Sequence, residues 1–110
     1  MATLVEKLRK AREQQVTVGV FTFTVRRPTD IEAMGFNDAT LLRMIDFVVG
    51  WDGVNEIDVL PGGNPQPLKF DAAVAREWLA DRPDLLLPLS DAIVNLYRAH
   101  AAALEDAKKN

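Results

Sequence analysis

Apolar and polar residues alternate through "VTVGVFTFTVRR", on both sides of Gly19-Val20. A period of two is the signature of a half-buried strand, and glycine in the first central position suits a type II′ hairpin turn. A two-residue turn pairs Val18 with Phe21, Thr17 with Thr22 and Val16 with Phe23. That register places Val16, Val18, Phe21, Phe23 and Val25 on one face, which is predicted to be core. The hairpin is expected over about 15–26. Ahead of it, Thr3 and Glu6 are spaced as a capping box for a helix over about 4–13. Leu4, Val5, Leu8 and Ala11 share one side of that helix and the charges the other, so residues 1–14 are expected to dock as an amphipathic helix.

Beyond Pro28, a second capping box, Thr29 with Glu32, starts a short helical turn that stops near Gly35. "NDATLLRMIDFVVG" reads as a helix over about 39–49, with Leu41, Ile45 and Val48 in line and Gly50 as its carboxyl-terminal cap. Trp51 is then expected to pack back on the last helical turn, and Asp52-Gly53 to turn the chain into "VNEIDVL", read as a strand. With the Gly/Pro-rich "PGGNPQP", this makes a second, short hairpin over about 55–70. Asp71 caps a helix over about 72–80 in which Val74 and Trp78 lie one turn apart. "DRPD" breaks the chain before a long last helix over about 86–107, with Pro88 in its first turn and a frayed tail at 108–110. The fold class is α+β, mainly helical, in a single domain spanning 1–110.

The last helix carries the widest apolar surface. Leu85, Leu89, Ala92, Ile93, Leu96 and His100 form one stripe, and Leu86, Val94, Tyr97 and Ala101 a second beside it. At ~100° per residue the apolar arc is about 220°, well beyond the ~100° of one core face. A central position in the domain and a surface shared with a partner both account for such an arc.

Composition narrows the function classes. The chain has 110 residues, 48% hydrophobic and 26% charged, the usage of a globular domain. No apolar run reaches the ~18–20 residues of a membrane span, and "MATLVEKLRK" lacks the basic-then-apolar order of a signal peptide. A cytoplasmic location is therefore expected. With no cysteine and one histidine, neither a disulfide framework nor an ordinary zinc site is expected. Residues 1–27 hold six Lys or Arg against two Glu (net +4), and residues 28–110 seven against fourteen acids (net −7). An acidic body disfavours nucleic acid. Lys7, Arg9, Lys10, Arg12, Arg26 and Arg27 would form one basic edge if the first helix folds beside the hairpin.

Candidate chemistry is thin. Asp52, Asn55, Glu56 and Asp58 invite a calcium reading, but their spacing lacks the alternate acids, central glycine and distant glutamate of a calcium loop. Gly62-Gly63 lacks the Walker lysine and the dinucleotide glycine spacing. His100 has no serine or carboxylate placed in sequence as a nucleophile–base pair. No catalytic residue, cofactor or metal is assigned, and the expectation is a protein that is not an enzyme.

Four segments, "FTFTVRRPTDIEAM", "VVGWDGV", "PLKFDAAVAREWLADRPDL" and the terminal "KKN", taken in order, resemble the tail assembly chaperones of long-tailed bacteriophages. The resemblance covers roughly residues 21–110 and departs from the usual short hairpin after Trp-x-Gly-Val, where this chain has "EIDVLPGGNPQP". It implies a noncatalytic protein that holds the tape-measure protein soluble while tail-tube subunits polymerise around it, in the cytoplasm of the bacterial host. The competing class is a structural tail component, such as a connector or completion protein retained in the virion. The wide arc is the candidate contact surface, with Leu86, Val94, Tyr97 and Ala101 as partner-binding residues; the resemblance supplies no binding residues of its own. It also implies a longer product made by ribosomal slippage, for which Lys108-Lys109 can be encoded as an adenine run. Gene sequencing is expected to show that run and an open −1 frame; non-slippery lysine codons would remove slippage at this position.

Overall fold

The computed structural model describes residues 2–36 and 41–109. Three antiparallel strands, β1 (Glu13–Val18), β2 (Phe21–Arg26) and β3 (Val48–Asp52), form a sheet in the order β1-β2-β3. The other elements are helices α1 (Leu4–Lys10), α2 (Asp30–Met34), α3 (Glu56–Val59), α4 (Ala72–Ala80) and α5 (Pro83–Lys109), with a 3-10 helix at Leu41–Phe47; α4 and α5 pack on the sheet. The α+β, mainly helical expectation is what the chain forms.

The hairpin has the predicted register, Val18 opposite Phe21 and Val16 opposite Phe23, turning on Gly19 at φ 62°. That positive φ is why glycine occupies the position. Phe21, Phe23 and Val25 are buried and Val16 and Val18 pack against the same core. Leu79, Leu89 and Ile93 bring α4 and α5 onto it, and Trp78 meets Phe21 edge-on at 5.3 Å.

Several expectations are corrected. α1 does not dock: Leu4, Val5 and Leu8 are 72%, 54% and 51% exposed, and the helix ends at Lys10 because the chain turns at Ala11 and Arg12 into β1. The helix expected over 39–49 is a 3-10 helix ending at Phe47, its predicted start at 39–40 lying outside the described residues. Val48 and Val49 go into β3, because β-branched residues beside an open strand edge favour pairing with β2 over another helical turn. Gly50 is therefore no cap. It faces Thr24 across the ladder, where an added Cβ would lie 3.4 Å from the Thr24 Cβ.

The second hairpin is not a hairpin either. Residues Glu56–Val59 form a helical turn, started by the Asp58 carboxylate, which accepts the Asn55 backbone N–H at 2.8 Å. Backbone bonds from Leu68 to Val54 and from Glu56 to Gln66, with one bridge between Asn55 and Pro67, close the excursion at its base. The last helix begins at Pro83, not Leu86, since proline is pre-set for a first helical position and the Arg82 carbonyl accepts the Leu86 N–H. Pro88 consequently lies inside the helix, and the helix continues through Lys108 and Lys109 where a frayed tail was expected; Asn110 lies outside the described residues.

Candidate functional site

The four candidate residues of α5 do not share a surface. Leu86 is 3% exposed and belongs to the core with Leu85, Leu89 and Ile93. Its assignment to a partner surface is thereby corrected: the first turns of α5 are central, enclosed by α4 and the 3-10 helix. Val94 and Tyr97, two and three turns further on, are half-buried and line an apolar cleft of 310 Å³ with Pro28, Phe36, Met44 and Ile93. Ala101, one turn beyond Tyr97, is half-buried and does not line the cleft.

The far wall comes from the segment around α2. The Thr29 capping box starts this helix immediately after Pro28 and so fixes where Asp30 stands. Asp30 accepts the Tyr97 hydroxyl at 3.0 Å, and the His100 ring Nε2 lies 3.3 Å from the same oxygen. The Tyr97 hydroxyl is the main cause that holds the Asp30 carboxyl below the usual carboxylate range, and the carboxylate in turn raises the tyrosine. α2 is thus tied to α5 with the cleft beside it. Phe36 meets Phe47 edge-on at 5.7 Å and is covered by the Arg43 guanidinium at 5.3 Å. The cleft's volume is at the low end of the roughly 300–1,000 Å³ of small-molecule pockets. Among the described residues its lining offers one polar tip, the Tyr97 hydroxyl, already engaged, and one cation, Arg98. Such a wall takes an apolar side chain.

Pro28, Phe36 and Met44 were not singled out by sequence reasoning, nor were Ile31 and Met34, which α2 presents to solvent between the two cleft-lining positions Pro28 and Phe36. The i, i+3 spacing of Ile31 and Met34 on a capped turn was the available signal.

A separate polar cavity of 460 Å³ lies between α1 and the end of the hairpin, where Arg9, Arg12 and Arg26 meet Glu13 and Glu32. This is what exists of the expected basic edge. Its central cation is compensated: Arg26 donates to both Glu32 oxygens at 2.8 and 2.9 Å, and Glu32 also accepts the Thr29 N–H at 2.9 Å. The Arg26 bond is the largest cause that lowers Glu32 from the ordinary 4.5 to about 2. The folded value lies below the unfolded one, so this contribution is complete above pH 4.5 and is lost as pH falls through about 2. With the pair about a third exposed, solvent screening limits it to roughly 0.5–1 kcal/mol. Denaturant unfolding of Glu32→Gln is expected to show that deficit at neutral pH and convergence with the unmodified protein near pH 2.

The acidic residues after β3 act as turn residues: Glu56 accepts the Asn64 N–H at 3.1 Å and Asp58 caps α3. Among the described residues no group of three or more His, Cys, Asp or Glu is placed to hold a metal ion, and no helix is long and apolar enough to cross a membrane. Comparison with protein-family models, with curated proteins and with solved structures returned no match.

Proposed function

We propose that this chain is a noncatalytic tail assembly chaperone of a long-tailed bacteriophage, which binds the tape-measure protein in the host cytoplasm and keeps it soluble until tail-tube subunits enclose it. The observation that carries the reading is the apolar cleft over Val94 and Tyr97, bordered by an α2 that exposes Ile31 and Met34. A tape-measure protein is long and helical, and its apolar stripes are unburied until the tube forms. An amphipathic helix seats such a stripe by placing anchors at i, i+3 and i+4 into an apolar cleft. The small volume suits one or two anchors at a time, so binding is by modest contacts repeated along a long client. Val94 and Tyr97 carry the contact, Ala101 extends it, and Leu86 stabilises the helix from inside.

The chaperone is expected to be encoded just upstream of a very long reading frame and to be missing from purified virions by mass spectrometry. Its detection there at the level of a tail protein would transfer the chain to the connector or completion class. A gene without tail-gene neighbours would remove both readings.

A further inference from the structure

α1 is a helix with an apolar stripe that no other described element covers. Leu4, Val5 and Leu8 share one side, none of its residues is buried, and at ~100° per residue Lys7 and Arg9 stand on the two borders of the stripe, Arg9 where it also lines the chain's own polar cavity. With Lys10 and Glu6 it carries three cations against one acid. Only Ala11 and Arg12 join it to β1, a reach of about 7 Å.

A surface of the opposite charge lies at the other end of the sheet. Asp58, Glu77 and Asp81 wall a groove of 430 Å³ between α3 and α4, together with Val59, Pro61 and Trp78. Ile57 and Leu60 on the same excursion are exposed. The cation there, Arg82, is engaged by Asp84 through bonds of 3.0 and 2.9 Å, which leaves the groove acidic. β1 begins opposite Arg26, whereas β3 leaves the sheet at Asp52, opposite Thr22 near the hairpin turn. Six-residue strands put the two ends about 20 Å apart, beyond the reach of a two-residue connection.

We propose that α1 of one copy docks in the α3–α4 groove of a second copy, its apolar stripe against Leu60 and Pro61 and its bordering cations toward Glu77 and Asp81. Charge selects this seat over the apolar cleft, which is lined by Arg98 and flanked by Arg43, while the carboxylate beside it, Asp30, is already engaged by Tyr97 and His100. Each copy offers one α1 and one groove, so association proceeds by reciprocal exchange in a pair or along a chain of copies. A seven-residue helix covers about 10 Å, so a single contact is weak and is assembled by repetition. The inference holds whatever the cleft at Val94 binds.

The chain has no cysteine, so crosslinks report placed thiols alone. Leu8→Cys mixed with Leu60→Cys under mild oxidation is expected to give a disulfide-linked pair at least about tenfold faster than Leu8→Cys mixed with Leu104→Cys, another exposed apolar site. Adding Lys7→Glu and Arg9→Glu to the first partner is expected to remove that advantage. Adding Glu77→Lys and Asp81→Lys to the second is expected to restore it. The altered positions are exposed apart from the half-buried Val94 of the last control, and circular dichroism checks that each variant is folded. A rate no faster than the Leu104 control, or no recovery in the doubly reversed pair, overturns the proposal. Faster crosslinking of Leu8→Cys to Val94→Cys than to Leu60→Cys overturns it as well, by moving α1 into the cleft.

Discussion

Leu86→Asp is expected to abolish the folded state at room temperature, while Val94→Asp, two turns along the same helix, leaves a cooperative domain. Leu86 is 3% exposed among Leu85, Leu89 and Ile93, with no polar side chain buried among the described residues to receive a carboxylate. Losing the side chain's packing costs about 2–5 kcal/mol, and burying an unpaired carboxylate adds several more. Together these match the roughly 5–15 kcal/mol that holds a domain of this size folded. Val94 is half-buried at an open cleft, where a carboxylate keeps contact with water, so its loss is about 1 kcal/mol. Thermal melts followed by circular dichroism check both. Loss of folding in Val94→Asp would make the whole second stripe core.

Trp51→Ala is expected to cost about 3–5 kcal/mol and Trp51→Phe about 1–2 kcal/mol. Trp51 stands on β3 opposite Phe23, meets Phe70 at 4.8 Å and Trp78 at 5.8 Å, and donates its indole N–H to the Leu68 carbonyl at 2.8 Å. One side chain thus joins the sheet, α4 and the far end of the 54–68 excursion. Phenylalanine keeps ring contacts and gives up the hydrogen bond; alanine gives up both. Hydrogen exchange adds a local readout, because the Leu68 amide bonds the Val54 carbonyl at 2.8 Å and should lose protection first in either variant. Equal destabilisation of the two variants would assign the role to the N–H alone.

What could be read ahead of the structure followed how local the determining contacts are. The hairpin register was legible because a Gly at φ 62° and a strict alternation fix it within ten residues. The caps at Thr29 and Asp71 were legible for the same reason, each closing within three residues. Residues 48–52 were misread because "FVVGW" satisfies a helix end and a strand equally, and the choice is made by β2, more than twenty residues earlier. Trp51 was read as a helix-end contact, whereas its partners Leu68, Phe70 and Trp78 lie 17 or more residues away. α1 shows the opposite failure: its amphipathic pattern is real, but a pattern does not say on which molecule the apolar side is covered. On α5 periodicity gave the width of the arc and not its division, because α4 and the 3-10 helix enclose the helix at Leu86, whereas Val94 meets the open cleft that Pro28, Phe36 and Met44 line.

The role proposed for the cleft over Val94 and Tyr97 is to hold the apolar stripes of a tape-measure protein. Its most direct test is co-expression of the tape-measure protein from the adjacent long reading frame with the unmodified chain, Val94→Asp or Tyr97→Asp, reading the soluble fraction of the client beside the melting temperature of each variant. The unmodified chain is expected to keep the client soluble, and both variants to lose most of that effect while still melting cooperatively. Tyr97→Asp, which sets a second carboxylate beside Asp30, is expected to lose slightly more stability than Val94→Asp. Undiminished client solubility with both folded variants would rule out this role for the cleft.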